Sequence, residues 1–199
     1  MEFFIIFLCS LLNMIFGTAL NLVNKWFLLN TSFLSNIISL ILMIVMLISF
    51  KNLKCKNENF KKSFDLLFLV ILIGILNLFF PTSHGNMQTM TPFKFFSLIL
   101  SLITLLADIY FFINTSLGIS DLCIKNLLYS LKSTAEKQAE IYKKTLVAFV
   151  FFLLISPVIS LVSTLLLSIL TILFAAFVLY IQINFLILLW NSHKLLDNN

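Results

Sequence analysis

"TLVAFVFFLLISPVISLVSTLLLSILTILFAAFVLYIQINFLILLW", residues 145–190, carries no charged side chain over 46 positions. As one helix it would run about 69 Å, roughly twice the thickness of a bilayer core. So long an apolar stretch has to fold back on itself. The turn is expected within "SPVISLVST", residues 156–164, where Pro157 removes a backbone donor and serines cluster. Two spans follow, 145–163 and 165–190, joined as a tight hairpin.

Upstream, the segments 3–23, 33–50, 64–80 and 95–117 each approach the roughly 20 apolar residues a crossing needs. The chain is 61% hydrophobic and 11% charged, where a soluble domain carries about 25% charged residues. That surplus needs a non-aqueous solvent. The predicted class is therefore all-α: a polytopic bundle of six transmembrane helices forming a single integral membrane domain over 1–199. The first segment begins Met-Glu and lacks a basic leader, so it reads as a span, although Gly17-Thr18-Ala19 has the small-x-small pattern of a cleavage site.

All thirteen basic residues are lysine. Without arginine there is no planar fork for phosphate or carboxylate, which weighs against lipid-phosphate and nucleotide chemistry. The loop "KNLKCKNENFKKS", residues 51–63, holds five lysines. Lys125, Lys132, Lys137, Lys143 and Lys144 follow the fourth span, and Lys194 lies near the C-terminus. With six crossings these eleven fall on one side, against Lys25 and Lys94 on the other. Positive residues favour the cytoplasmic face, so both termini are expected there, in the plasma membrane. Trp26 and Trp190 then fall near opposite interfaces. The separated Cys9, Cys55 and Cys123 imply no disulfide framework.

Gly118 reads as a helix stop and Ser120-Asp121 as a new start. Ile124, Leu127, Leu128, Leu131, Ala135, Ala139 and Tyr142 recur at helical spacing, with lysines largely opposite. A cytoplasmic amphipathic helix over 121–144 is expected, with a break where Ser133 and Glu136 fit a capping box. Glu140 and Lys144 can pair at i, i+4. Anionic lipid would hold this helix at the surface. It would otherwise dock a cytoplasmic partner through Lys132, Lys137, Glu140, Lys143 and Lys144.

Inside the fourth span stands Asp108, in "SLITLLADIYFFINTS", residues 101–116. About thirteen residues into the segment, it is expected near mid-bilayer. An ionised carboxylate there costs about 2.5–3.5 kcal/mol on insertion scales, so it must be protonated, paired or facing a wet cavity. Ser97, Ser101, Thr104, Asp108 and Thr115 share one helical face, flanked by Asn114. Ser10, Asn13, Gly17, Asn21 and Asn24 make a matching stripe in the first span. Both stripes should point into the bundle, with Asn36, Ser39, Asn77, Gln182 and Asn184 as further polar groups at depth. A structural role hydrogen-bonds Asp108 to a facing Asn or Ser; a functional one places it on a path for a proton, cation or amine. The expected path residues are Asp108, Thr104, Ser101, Asn114, Asn13 and Asn21.

No signature of a catalytic site appears: no H-E-x-x-H, no G-x-S-x-G and no Walker A. No cofactor and no metal are expected. His84, Met87 and Met90 in "PTSHGNMQTMTPF", residues 81–93, are too few for a copper site on their own. The lysines are explained by topology, not by nucleic acid. The sequons at Asn30 and Asn114 matter only in a eukaryotic secretory membrane. The reading that follows is a non-enzymatic multi-pass protein, permease-like or transport-associated, with a polar path near Asp108. Its partners would be the bilayer and a second copy or another protein. The alternative is an accessory or immunity-type subunit that acts by binding another membrane protein.

Overall fold

The structure is a computed structural model that describes residues 1–27, 32–79 and 92–197, with side chains described for 1–16, 33–78, 95–159 and 163–197. Among these residues six helices follow one another: α1 (Glu2–Phe27), α2 (Ser32–Leu53), α3 (Glu58–Phe79), α4 (Pro92–Lys125), α5 (Tyr129–Val162) and α6 (Thr164–Leu196). Each packs on the next, α6 closes onto α1, and α4 also touches α6. The chain is thus a helical bundle closed into a ring. Among the described residues four stretches are long and apolar enough to cross a membrane: Phe33–Leu53, Phe95–Lys125, Tyr129–Ile159 and Thr164–Leu196. Their outward faces carry Phe33, Ile48, Leu98, Leu154, Leu165 and Ile172, all more than half exposed. Such surfaces are stable in lipid and not in water, which makes this a membrane protein.

The apolar run at 145–190 does fold back, and the break falls on Ser163, inside the expected 156–164 stretch. Ser163 takes extended backbone (φ −160°, ψ 115°), ending α5 and capping α6 at once. Its hydroxyl accepts from the Leu166 amide at 3.2 Å. Pro157 does not make the turn; it lies inside α5. Lacking an N–H, it leaves the Leu153 carbonyl without its helical donor, and the Ser156 hydroxyl donates there instead at 3.2 Å.

The expected separate helix over 121–144 does not form. Its first residues complete α4 and the remainder opens α5, with a tight reversal between them. The Leu128 amide donates to the Cys123 carbonyl at 2.9 Å and the Leu127 amide to that of Ile124 at 3.3 Å. Leu127 sits at φ 57°, the left-handed residue of a helix-terminating motif usually filled by Gly. Gly118 is no helix stop either. A Cβ there would lie 2.8 Å from the ring of Phe60, so glycine is needed for close approach of α3 to α4. The expected break at Ser133 is also absent. Glu136 instead accepts from the Ser120 hydroxyl of α4 at 3.2 Å. Leu131, Ala135, Ala139 and Tyr142 are buried against the bundle, whereas Ile124 and Leu127 are exposed. Glu140 and Lys144 do pair, at 2.8 Å.

Both termini, the α2–α3 turn and the α4–α5 turn gather at one end, here called the basic end. The Met1 ammonium meets Asp197 at 2.8 Å. Asn57 Nδ2 donates to the Gly118 carbonyl at 2.9 Å, Asn59 to Asp121 at 2.8 Å, and Lys125 Nζ to the Lys56 carbonyl at 3.3 Å. Asn57 also caps α3, its Oδ1 accepting from the Phe60 amide at 2.8 Å. The tightest core lies just above these contacts: Phe3, Phe50, Phe60, Ile119, Phe185 and Leu188 are fully buried. Farther from the basic end the α5–α6 hairpin is largely exposed. A hydrophobic drive packs helices only where water is the alternative; in lipid it vanishes.

Candidate functional site

Directly above the packed base lies a half-open cavity of about 300 Å³. Five helices contribute. Ser10, Asn13 and Met14 come from α1, Met43 and Met46 from α2, and Leu67 from α3. Asp108, Phe111 and Phe112 come from α4, with Gln182, Phe185 and Leu186 from α6. The rings of Phe111, Phe112 and Phe185 meet edge-on, with centroids 5.4 Å and 4.8 Å apart. Because α1 and α4 do not pack on each other directly, the space between their facing polar residues stays open.

Asp108 is half-buried, and its carboxyl has neither a hydrogen bond nor an ion pair among the described residues. The same holds for the side-chain amides of Asn13 and Gln182. Ser10 donates to the Met46 sulfur at 3.8 Å, a weak bond that leaves its hydroxyl open to a better partner. Polar groups at depth in a bundle are normally paired, across helices or to backbone. Three unpaired ones converging on one space need water or a ligand.

Charged side chains fall close to the level of Asp108 along the bundle. Phe50, next to Lys51, packs on Phe111 with centroids 5.2 Å apart. Tyr142, next to Lys143 and Lys144, stacks on Phe112 at 5.0 Å. Ser63, two residues before Asp65, receives a hydrogen bond from Thr115 at 3.1 Å. Lys51, Asp65, Lys143 and Lys144 are all exposed, so charge on α2, α3 and α5 forms a partial belt level with residues 110–115. Asp108 lies one helical turn, about 6 Å, above that belt. The part of α4 above it, residues 95–112, is about 27 Å long, close to a bilayer core.

Of the six expected path residues, the structure brings Asp108 and Asn13 together at the cavity. Thr104, Ser101 and Asn114 do not line it; each hydroxyl or amide donates to its own helix, to the carbonyls of Leu100, Ser97 and Tyr110 at 2.8–2.9 Å. Ser101 is exposed, whereas Thr115 on the same stripe is fully buried. The surroundings of Gly17 and the side chains of Asn21, Asn24, Lys25, Trp26 and Lys94 are not described, and Asn30 and the loop bearing His84, Met87 and Met90 lie outside the described residues. Gln182, Ser10 and the three methionines complete the site. Gln182 and Ser10 were visible as polar residues in apolar helices; nothing in the sequence distinguished the methionines from ordinary core. The proposed docking residues Lys132, Lys137, Glu140, Lys143 and Lys144 all lie on the first half of α5, Lys132 near Glu136 at 3.7 Å and the rest exposed.

Fold and site together define a helical membrane bundle with a half-buried acid facing a half-open cavity of largely apolar walls and a few polar groups. No protein-family model, no curated protein and no solved structure matches this chain.

Proposed function

We propose that the protein is a small permease-like or transport-associated membrane protein in which Asp108 is the ionisable group of a polar path. One observation carries this reading: an unpaired carboxyl and two unpaired amides, from three helices, converge on a cavity above a packed base. A purely structural Asp108 would have claimed Asn13 or Gln182 as its partner. An intramembrane acid facing a cavity is suited to bind a proton or a cationic group and to release it when the cavity changes shape.

The reading includes six crossings, with α1 and α3 completing the four strongly apolar helices, and both termini in the cytoplasm of the plasma membrane. The lysine asymmetry supports that orientation. The partial charge belt would mark the inner interface, placing the C-terminal part of α4 and the lysine-rich first part of α5 below the bilayer. There Lys137, Glu140, Lys143 and Lys144 present a surface for anionic lipid or for a protein partner. That exposed face favours the second reading, an accessory or immunity-type subunit. Neither reading assigns catalysis to the chain.

The test is Asp108→Asn in proteoliposomes loaded with a pH-sensitive dye. We expect wild type to move protons or a cation under a gradient, and the variant to lose at least about tenfold in rate while its melting temperature holds. Equal rates in both proteins would reduce Asp108 to a packing group and leave the subunit reading standing.

A further inference from the structure

We propose that the cavity takes a small organic cation with an apolar body, its ammonium held by Asp108 and its body against Phe111, Phe112 and Phe185. This rests on the polar-path reading and names what the path carries. The lining offers one carboxyl and no cationic side chain, so it favours positive charge over negative. Asn13 Oδ1, Gln182 Oε1 and the Ser10 hydroxyl can accept from an ammonium. Phe111, Phe112 and Phe185, packed edge-on to one another, give an aromatic wall for the apolar body. Met14, Met43 and Met46 supply polarisable walls that reshape around apolar groups of differing outline.

The volume decides between occupants. At about 300 Å³ the cavity far exceeds a bare ion and matches the lower end of organic-ligand pockets. A soft metal on the methionines would need converging sulfurs, yet Met46 already accepts from Ser10. No cluster of three His, Cys, Asp or Glu exists among the described residues to hold a harder one. The seam between α1 and α6 adds a route. A shallow apolar groove there, lined by Phe7, Leu11, Ile183, Ile187 and Trp190, shares Leu186 with the cavity. That groove would give a cation with an apolar body a lateral approach from the bilayer that does not suit a hydrated ion.

The experiment is equilibrium binding of radiolabelled phenyltrimethylammonium to the full chain in lipid nanodiscs. Wild type should bind saturably, Asp108→Asn should weaken binding about tenfold or more, and Asp108→Glu should restore part of it. Phe112→Leu should weaken binding several-fold with little effect on the fold. Absence of saturable binding by wild type, or equal affinity in Asp108→Asn, overturns the proposal; so does saturable binding of Ag⁺ that displaces the probe and survives Asp108→Asn. If the probe fails to bind while Asp108-dependent proton movement persists, the ligand class is wrong and the path stands. If the probe binds but nothing moves, the site is right and the path reading fails.

Discussion

Position 118 needs the absence of a side chain, not a special backbone. Gly118 is helical, and its value is the space it leaves for Phe60, which is fully buried between α3 and α4. Gly118→Ala should therefore destabilise by about 1–3 kcal/mol, as overpacking does. Gly74→Ala is a fair control, since its Cβ would meet only the tip of Leu40 at 3.3 Å; it should cost clearly less. Thermal unfolding in one detergent compares the two. A glycine before Ser-Asp looks in sequence like a helix end, because a close approach and a left-handed turn both call for the same residue. The real reversal uses Leu127, a residue type that rarely takes positive φ, so no local signal marked it. Asp108 was legible because any acid in an apolar run stands out. Asn13, on the same cavity, was legible through the α1 stripe. Thr104, Ser101 and Asn114 lie off the cavity and satisfy themselves on the carbonyl four residues back, which helical periodicity does not reveal.

At the scale of elements, the hairpin at 145–190 was fixed by length alone: no bilayer accommodates such a run as one crossing. Its corner depends on a single residue doing two jobs. Ser163→Ala removes the cap of α6 and should cost about 0.5–2 kcal/mol, whereas Ser163→Asp should keep the cap. Urea or thermal titration of both variants in micelles separates capping from any general polar requirement. The 121–144 region was misassigned for a physical reason. Its apolar stripe is real, but it packs against α4 and α6 and not against lipid, as Gln138 shows by donating to the Ile181 carbonyl at 3.0 Å. An amphipathic pattern fixes which face is buried and says nothing about what buries it.

Across the whole molecule, stability is concentrated at the basic end and the cavity lies where that packing stops. Phe3, Phe50 and Phe60 cluster with centroids 6.0–6.2 Å apart. Phe60→Ala should cost about 3–5 kcal/mol. Leu154→Ala, on a side chain 70% exposed in the α5 hairpin arm, should cost under about 1 kcal/mol in a bilayer, where lipid replaces the lost methyls. Reversible unfolding in bicelles measures both, and equal losses would mean that packing is uniform along the helices. A firm base beneath a looser upper half is an arrangement in which helices can shift around a bound group without unfolding.

The central claim, that Asp108 faces a wet cavity and not a sealed core, has a direct measurement. In a background with Cys9, Cys55 and Cys123 replaced by Ala, single cysteines are placed at positions 13, 182 and 102 and treated in native membranes with a water-soluble methanethiosulfonate. The thiolate reacts only where water reaches it. Positions 13 and 182 should label within minutes, and position 102, on the outward face of α4, should not. Silence at both 13 and 182, with the protein folded, would contradict the cavity and return Asp108 to the role of a buried packing group.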